Sequence, residues 1–171
     1  MTSPAGSSQA TFLALLERHL PILQKVSRAY CPFAAQRPDL VAEMTAALWR
    51  SFERYDPSRP FGTWAYRIVL NVAISFFRSE SRRVERLAPL DGLERYGDRS
   101  SADPRVGSLL DCIEDLGPFD KALVLMHLDG YSHAEAGGVL GITPSNAATK
   151  LARIKVRLRT AMTADGKGAQ Q

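Results

Sequence analysis

The chain has 171 residues, 45% of them hydrophobic, and a formal net charge of +4, which suits one globular domain or two small ones with a packed core. No run of about 18 apolar residues occurs, which excludes a membrane-spanning helix. Cys31 and Cys112 stand far apart with no His or Cys at ligand spacing, which excludes a zinc site and leaves two free thiols suited to a reducing cytoplasm.

The opening MTSPAGSSQA lacks a charged start and a long apolar stretch, so it is not a signal peptide, and residues 1–9 read as a loose tail. Over residues 11–30 the spacing predicts a helix with Phe12, Leu15, Leu16, Leu20, Leu23 and Val26 near one face, and Pro21 argues for a break or kink. A second helix is predicted over residues 39–55, with Asp39 near its start and Leu40, Met44, Ala47, Leu48 and Phe52 on its core side. The polar, Pro-flanked DPSRP at 56–60 is a loop, and a third helix follows over about 63–79.

That third helix has a broad apolar arc of Ala65, Val69, Val72 and Phe76 with Tyr66, Leu70, Ala73 and Phe77. The strip left over carries Arg67, Asn71, Ser75 and Arg78, joined by Trp64 and Ile68. An aromatic ring beside cations and an amide is a surface for unstacked bases. The same spacing also fits Trp64 packing under a neighbouring helix, and both readings stand at this point.

Residues 84–106 lose all periodicity to Pro89, Gly92, Gly97, Ser100, Ser101 and Pro104, and read as a linker. Residues 107–128 are helical again with a break at Gly117–Pro118, and the last residues, TADGKGAQQ, look frayed. Between them lies YSHAEAGGVLGITPSNAATKLARIKVRL (131–158), two helices joined by a turn. Gly141 ends the first, Thr143 is placed to cap the second, and Pro144 sits at its first position, where a missing N–H costs nothing. Ala147, Leu151, Ile154 and Leu158 make one packed face, and Asn146, Lys150, Arg153 and Arg157 repeat the spacing roughly 100° away, with Thr149 beside them. One apolar stripe and one amide–cation stripe suit a helix in a DNA major groove, while an ordinary hairpin with a solvated basic face is the plainer alternative.

Charge is unevenly placed. Residues 141–171 hold Lys150, Arg153, Lys155, Arg157, Arg159 and Lys167 against Asp165 alone, and residues 78–86 hold Arg78, Arg82, Arg83 and Arg86 against Glu80 and Glu85. Two separate basic segments imply a polyanion met at two places. His19, His127 and His133 have no nucleophile or metal partner at useful spacing and no phosphate-binding Gly loop is present, so neither an enzyme, a metal nor a cofactor is expected.

DLVAE (39–43), LWRSF (48–52) and FGTWAYRIVLNVAISFFR (61–78), followed by LGPFDKALVLMHLDGYSHAEAGGVLGITPSNAATKLARIKVRL (116–158), resemble the sigma factors of bacterial RNA polymerase, specifically the small extracytoplasmic-function (ECF) group. The resemblance covers roughly residues 10–83 and 108–162 with an unmatched linker between. It implies an all-α chain of two small helical domains, 10–83 and 108–163, joined by a flexible linker over 84–107 and followed by a tail over 164–171.

The function implied is to bind core RNA polymerase, read the −10 and −35 promoter elements and help melt DNA. Asp39, Leu40, Val41, Glu43 and Trp49 match polymerase-contacting positions, with the β′ clamp helices and the β flap as the implied surfaces. Trp64, Tyr66, Arg67 and Asn71 match positions for the −10 element and melting, and Arg78, Arg82 and Arg83 match a basic segment on promoter DNA. Ser145, Asn146, Thr149, Lys150, Arg153 and Arg157 match the −35 reader. An anti-sigma factor is an implied partner, and membrane insertion is not. The chain departs from the family pattern at Ala42, where Gln is common, at Ser75, where Asp is, and at Ala136–Gly137, with Gly138 following. Two adjacent glycines cost a helix roughly 1 kcal/mol each relative to Ala, so the first helix of that motif is expected to be weak. The competing functions are an autonomous helix-turn-helix regulator, which would dimerise on a palindrome, and a sigma mimic that occupies an inhibitor.

Overall fold

A computed structural model describes residues 4–87, 113 and 115–168, with side chains over 8–83, 113 and 115–160. The chain divides into two compact units, Met1–Gly92 and Leu93–Gln171. Every regular element among the described residues is helical. The expected linker beyond Leu87, Cys112 and the segment 107–112 lie outside the described residues.

The first unit is built from α1 (Pro4–Tyr30), α2 (Arg37–Ser51) and α3 (Phe61–Leu87), each packed against the other two. On α2, Leu40, Met44 and Leu48 recur every fourth residue and all three are buried. They meet Ile22, Leu23, Val26 and Tyr30 of α1 and Ala65, Tyr66, Val69, Leu70, Ala73 and Ile74 of α3 in one core. Side chains buried to this degree contribute about 1.5–3 kcal/mol each by leaving water. That term explains why α1, which begins at Pro4 rather than near residue 11, is not broken at Pro21. Pro21 is exposed, so the carbonyl it leaves unbonded faces water, and the buried residues that follow it hold the helix together.

Short 3-10 turns, Ala34–Gln36 and Phe52–Arg54, bracket α2, so the helix expected to reach residue 55 ends at Ser51. Before α2, the buried Cys31 thiol donates to the Phe33 carbonyl (3.2 Å) and Arg37 Nε donates to the Cys31 carbonyl (3.1 Å). After it, Asp56 closes the 56–60 loop. Its Oδ1 accepts from Ser58 N–H (3.0 Å) and its carbonyl from Arg59 N–H (3.0 Å), while Tyr55 donates its hydroxyl to the Arg59 carbonyl (2.8 Å). The Ser58 hydrogen bonds hold the Asp56 carboxyl below its ordinary range.

The second unit contains α4 (Pro118–Leu128), α5 (His133–Leu140) and α6 (Pro144–Gly168), again all in mutual contact. Helix α6 continues into the residues expected to fray. Its core combines Ile113, Leu116 and Ala122–Met126 with Ala136, Ala147, Leu151 and Ile154. Helix α4 stops at Gly130 (φ 81°), where Tyr131 N–H reaches the Met126 carbonyl and Gly130 N–H the His127 carbonyl, both at 3.0 Å. This is the paired bonding of a Schellman end.

Gly137 and Gly138 differ in kind. A Cβ at Gly137 would stand 2.6 Å from the Ile142 carbonyl oxygen, whereas one at Gly138 meets nothing within 4 Å. The turn therefore lies directly on the Gly137 backbone, which also accepts the Ile142 N–H (3.0 Å). The helix expected to be weak owes only Gly138 to sequence tolerance. Gly138→Ala is expected to raise the stability of the second unit by about 0.5–1 kcal/mol. Gly137→Ala has the same propensity gain but must displace the turn, so a net loss is expected. Far-ultraviolet dichroism melts of the two variants check the opposite signs.

Candidate nucleic-acid interface

Two surfaces carry the cations and amides singled out by the sequence, one on each unit. On the first, Arg67, Asn71, Ser75, Arg78 and Arg82 of α3 are all exposed. At about 100° per residue they fall within one quarter-turn of the helix, opposite the buried residues. The stripe runs about 22 Å along the axis at 1.5 Å per residue. Arg82 Nε donates to the Arg78 carbonyl (3.2 Å). Arg83 falls elsewhere: it is about a third of a turn away from the stripe, and its guanidinium is bonded to Glu80 Oε2 at 2.9 and 3.2 Å. Glu80 thereby offsets part of its charge, although an exposed pair of this kind is weak.

Two expected contact residues are corrected by the packing. Tyr66 is 0% exposed and Leu40 is 1% exposed, so both belong to the core and neither side chain faces a partner. Each sits at the apolar repeat of its helix, the side that periodicity already gives to the core, so the packing follows the spacing and not the resemblance.

Trp64 has an intermediate position. It is half-buried at the start of the α3 stripe, with ring centroids 4.9 Å from Tyr55, 5.2 Å from Phe61 and 6.3 Å from Phe52. Phe52 in turn meets Phe12 at 5.1 Å and Tyr55 at 5.8 Å, and His19 stands 4.9 Å from Phe61. This chain of rings, which sequence spacing does not reveal because it joins three helices and a loop, packs against the Trp64 indole and leaves it half-buried. His19 is itself anchored by a 2.8 Å bond to the Leu15 carbonyl, to which its Nδ1–H donates.

The outward side of α2 presents Asp39, Ala42, Glu43, Ala46 and Arg50, with Val41 half-buried at its edge. Trp49 is 44% exposed and rests on Phe12 at 5.0 Å. The surface is therefore an acidic row at the N-terminal end followed by an exposed indole.

On the second unit the sequence builds the turn from local hydrogen bonds. Ser132 and Glu135 form a reciprocal cap on α5: Glu135 N–H donates to Ser132 Oγ (3.2 Å) and Ser132 N–H to Glu135 Oε2 (2.8 Å). The Ser132 bonds hold the Glu135 carboxyl below its ordinary value. Gly141 adopts φ 71°, the left-handed conformation that ends α5. Thr143 Oγ1 then accepts the Asn146 N–H (3.2 Å), as the sequence predicts for a cap on α6.

Helix α6 leaves this turn with Ala147, Leu151 and Ile154 buried and Ser145, Asn146, Thr149, Lys150, Arg153 and Arg157 all exposed. Lys155 and Arg159, already counted in the basic segment, are exposed on the same helix, as are Ala152 and Val156, which were not singled out. A hydrophobic side chain facing water, Val156, is the signal that could find them. Burial lowers the His127 pKa, and the nearby charges of Lys155 and His133 lower it further. Among the described residues no group of three or more His, Cys, Asp or Glu could hold a metal ion, and no helix is long and apolar enough to cross a membrane.

Residues 15–83 match the sigma-70 region 2 family and residues 107–158 the sigma-70 region 4 family. The chain is 28% identical to the RNA polymerase sigma factor CnrH of Cupriavidus metallidurans, over 94% of this chain and 91% of that one. It is 29% identical to the RNA polymerase sigma factor CarQ of Myxococcus xanthus, covering 89% of each. Among solved structures, the sigma factor RpoE bound to the anti-sigma factor NepR from Bartonella quintana superposes with a TM-score of 0.74 at 16% identity, covering 91% of this chain and 98% of that one, a likeness of fold. CnrH bound to the cytosolic domain of CnrY superposes with a TM-score of 0.67 at 26% identity, covering 92% and 90%.

Proposed function

Since the chain belongs to the sigma-70 family of RNA polymerase sigma factors, in the ECF group, we propose a division of its promoter work between the two units. It is a promoter-recognition factor for transcription initiation, not itself an enzyme, working in the cytoplasm with core RNA polymerase and promoter DNA as partners. The first unit, residues 10–83, docks on the β′ clamp helices through Asp39, Glu43, Trp49 and the edge of Val41. It lays the α3 stripe on the −10 element. Arg67, Arg78 and Arg82 lie against phosphates, and Asn71 with the half-buried Trp64 holds an unstacked base. Arg83 supplies less, because Glu80 is already bonded to it.

The second unit, residues 108–163, sets α6 into the major groove of the −35 element, beside the β flap. Residues 84–107 connect the two. The observation that carries this reading is the pairing, in one chain, of a region 2 match whose α3 exposes an Asn–Arg row with a region 4 match whose helix-turn-helix exposes a basic second helix. One solved relative is bound to an anti-sigma factor and the other to the cytosolic domain of CnrY, and an anti-sigma factor is the partner we assign here on the basis of the first.

Run-off transcription with purified core polymerase tests the reading. Genomic fragments are expected to give discrete transcripts only when this chain is added, and Lys150→Ala is expected to reduce them and to lower the salt slope of promoter binding by about one unit. No new transcript despite stable binding to core polymerase would make the chain a mimic. Failure to bind core polymerase at all would overturn the assignment.

A further inference from the structure

The helical geometry of α6 distributes its exposed side chains more finely than a single basic face. The buried stripe Ala147, Leu151 and Ile154 defines the inward direction. At about 100° per residue, the direction opposite to it is occupied by Ser145, Thr149, Ala152 and Val156, a run at i, i+4, i+7 and i+11. Asn146, Lys150 and Arg157 lie about 90° to one side of this ridge, and Lys155 and Arg159 about 90° to the other. All of these side chains except the buried stripe are exposed. Arg153 lies between the ridge and the first flank.

A helix entering a groove with its packed side outward presents the opposite ridge to base edges and its two flanks to the two phosphate walls. The groove is about 12 Å wide, so flanks rather than ridge meet the backbones. Cations on both flanks match phosphates on both walls. The ridge itself is uncharged and rich in methyl groups: Thr149 contributes one, Ala152 one and Val156 two. Val156 is a β-branched apolar residue in mid-helix and is 59% exposed. In the major groove the thymine 5-methyl is the one apolar feature that distinguishes a base pair. From Ser145 to Val156 the ridge spans about 16 Å of helix axis, enough for about five base pairs at 3.4 Å each.

We infer that Thr149, Ala152 and Val156 read thymine methyl groups in the −35 element, and that Lys155 and Arg159 hold the phosphate wall opposite the one held by Asn146, Lys150 and Arg157. This rests on the second unit being the −35 reader. It moves the amide–cation row from base edges to the backbone and makes two residues outside that row, Ala152 and Val156, determinants of specificity.

The test uses holoenzyme, core polymerase with the full chain, on promoter duplexes whose −35 thymines are replaced one at a time by deoxyuridine, which removes only the methyl group. Binding is expected to fall about 3- to 5-fold for each contacted thymine. Val156→Ala is expected to weaken the thymine promoter by a similar factor and to respond little to deoxyuridine at the position it contacts, so that the two losses do not add. Alanine favours an exposed helical position over valine, so unfolding cannot mimic the result. Lys155→Ala and Arg159→Ala are expected to weaken thymine and deoxyuridine promoters equally and each to lower the salt slope by about one unit. Equal binding of both duplexes by the unaltered protein, an unchanged deoxyuridine penalty in Val156→Ala, or a mapped −35 element without thymine would each overturn the inference. Loss of transcription from every promoter by the unaltered protein would instead refute the sigma-factor assignment, so the two failures are separable.

Discussion

Asn71→Ala is expected to cut run-off transcription from a mapped promoter by roughly 10- to 100-fold with the first unit still folded. An amide that reads a base edge is worth about 1–3 kcal/mol, and about 1.4 kcal/mol is a factor of ten. Asn71 is exposed at the centre of the α3 stripe, with Arg67 one turn before it and Ser75 one turn after. Its side chain supports nothing in the core, and Ala is the better helix former, so the loss would come from DNA alone. Permanganate reactivity of unpaired promoter thymines would locate the defect at melting. A loss under about twofold would remove Asn71 from the reading residues.

Tyr66→Ala is expected to act through a different cause, with a stability loss of about 3–5 kcal/mol for deleting a fully buried aromatic side chain. Tyr66 is 0% exposed among the buried residues of all three helices. The chain has two tryptophans, Trp49 and Trp64, both in the first unit. Urea unfolding followed by their fluorescence therefore reports that unit without interference from the second. Transcription would fall as well, but in step with the folded fraction, and would recover in a stabilising osmolyte. Full stability with transcription lost would return Tyr66 to the DNA surface.

These two residues show what sequence could and could not carry. Both lie in the same matched segment, and the resemblance assigns both to DNA. Periodicity separates them, Tyr66 on the apolar arc and Asn71 on the remaining strip, and the packing of α1 and α2 on α3 follows the periodicity. The same holds for Leu40, which the resemblance gives to the polymerase and the fold gives to the core. By contrast, the turn before α6 was legible residue by residue. Gly141, Thr143 and Pro144 act through backbone angles and a hydrogen bond three residues away, and no distant partner enters.

The break that Pro21 argued for is absent for the opposite reason. Its local cost is real, but Ile22, Leu23 and Val26 outweigh it through burial that only the assembled bundle provides. The chain of rings from Phe12 to Phe61 and the close approach at Gly137 were also out of reach, since both are contacts between elements.

The second unit has a further property that follows from its connectivity. Helix α4 reaches α6 across a single eight-residue helix, and each end is closed by bonds between near neighbours. Contacts of such short sequence separation need little loop closure, and helical units of this kind fold in microseconds to milliseconds. Ribosomes add only about 5–20 residues per second. The second unit would therefore fold within the time taken to add one further residue. The lag between synthesis of this unit and its working form then contains no appreciable folding term.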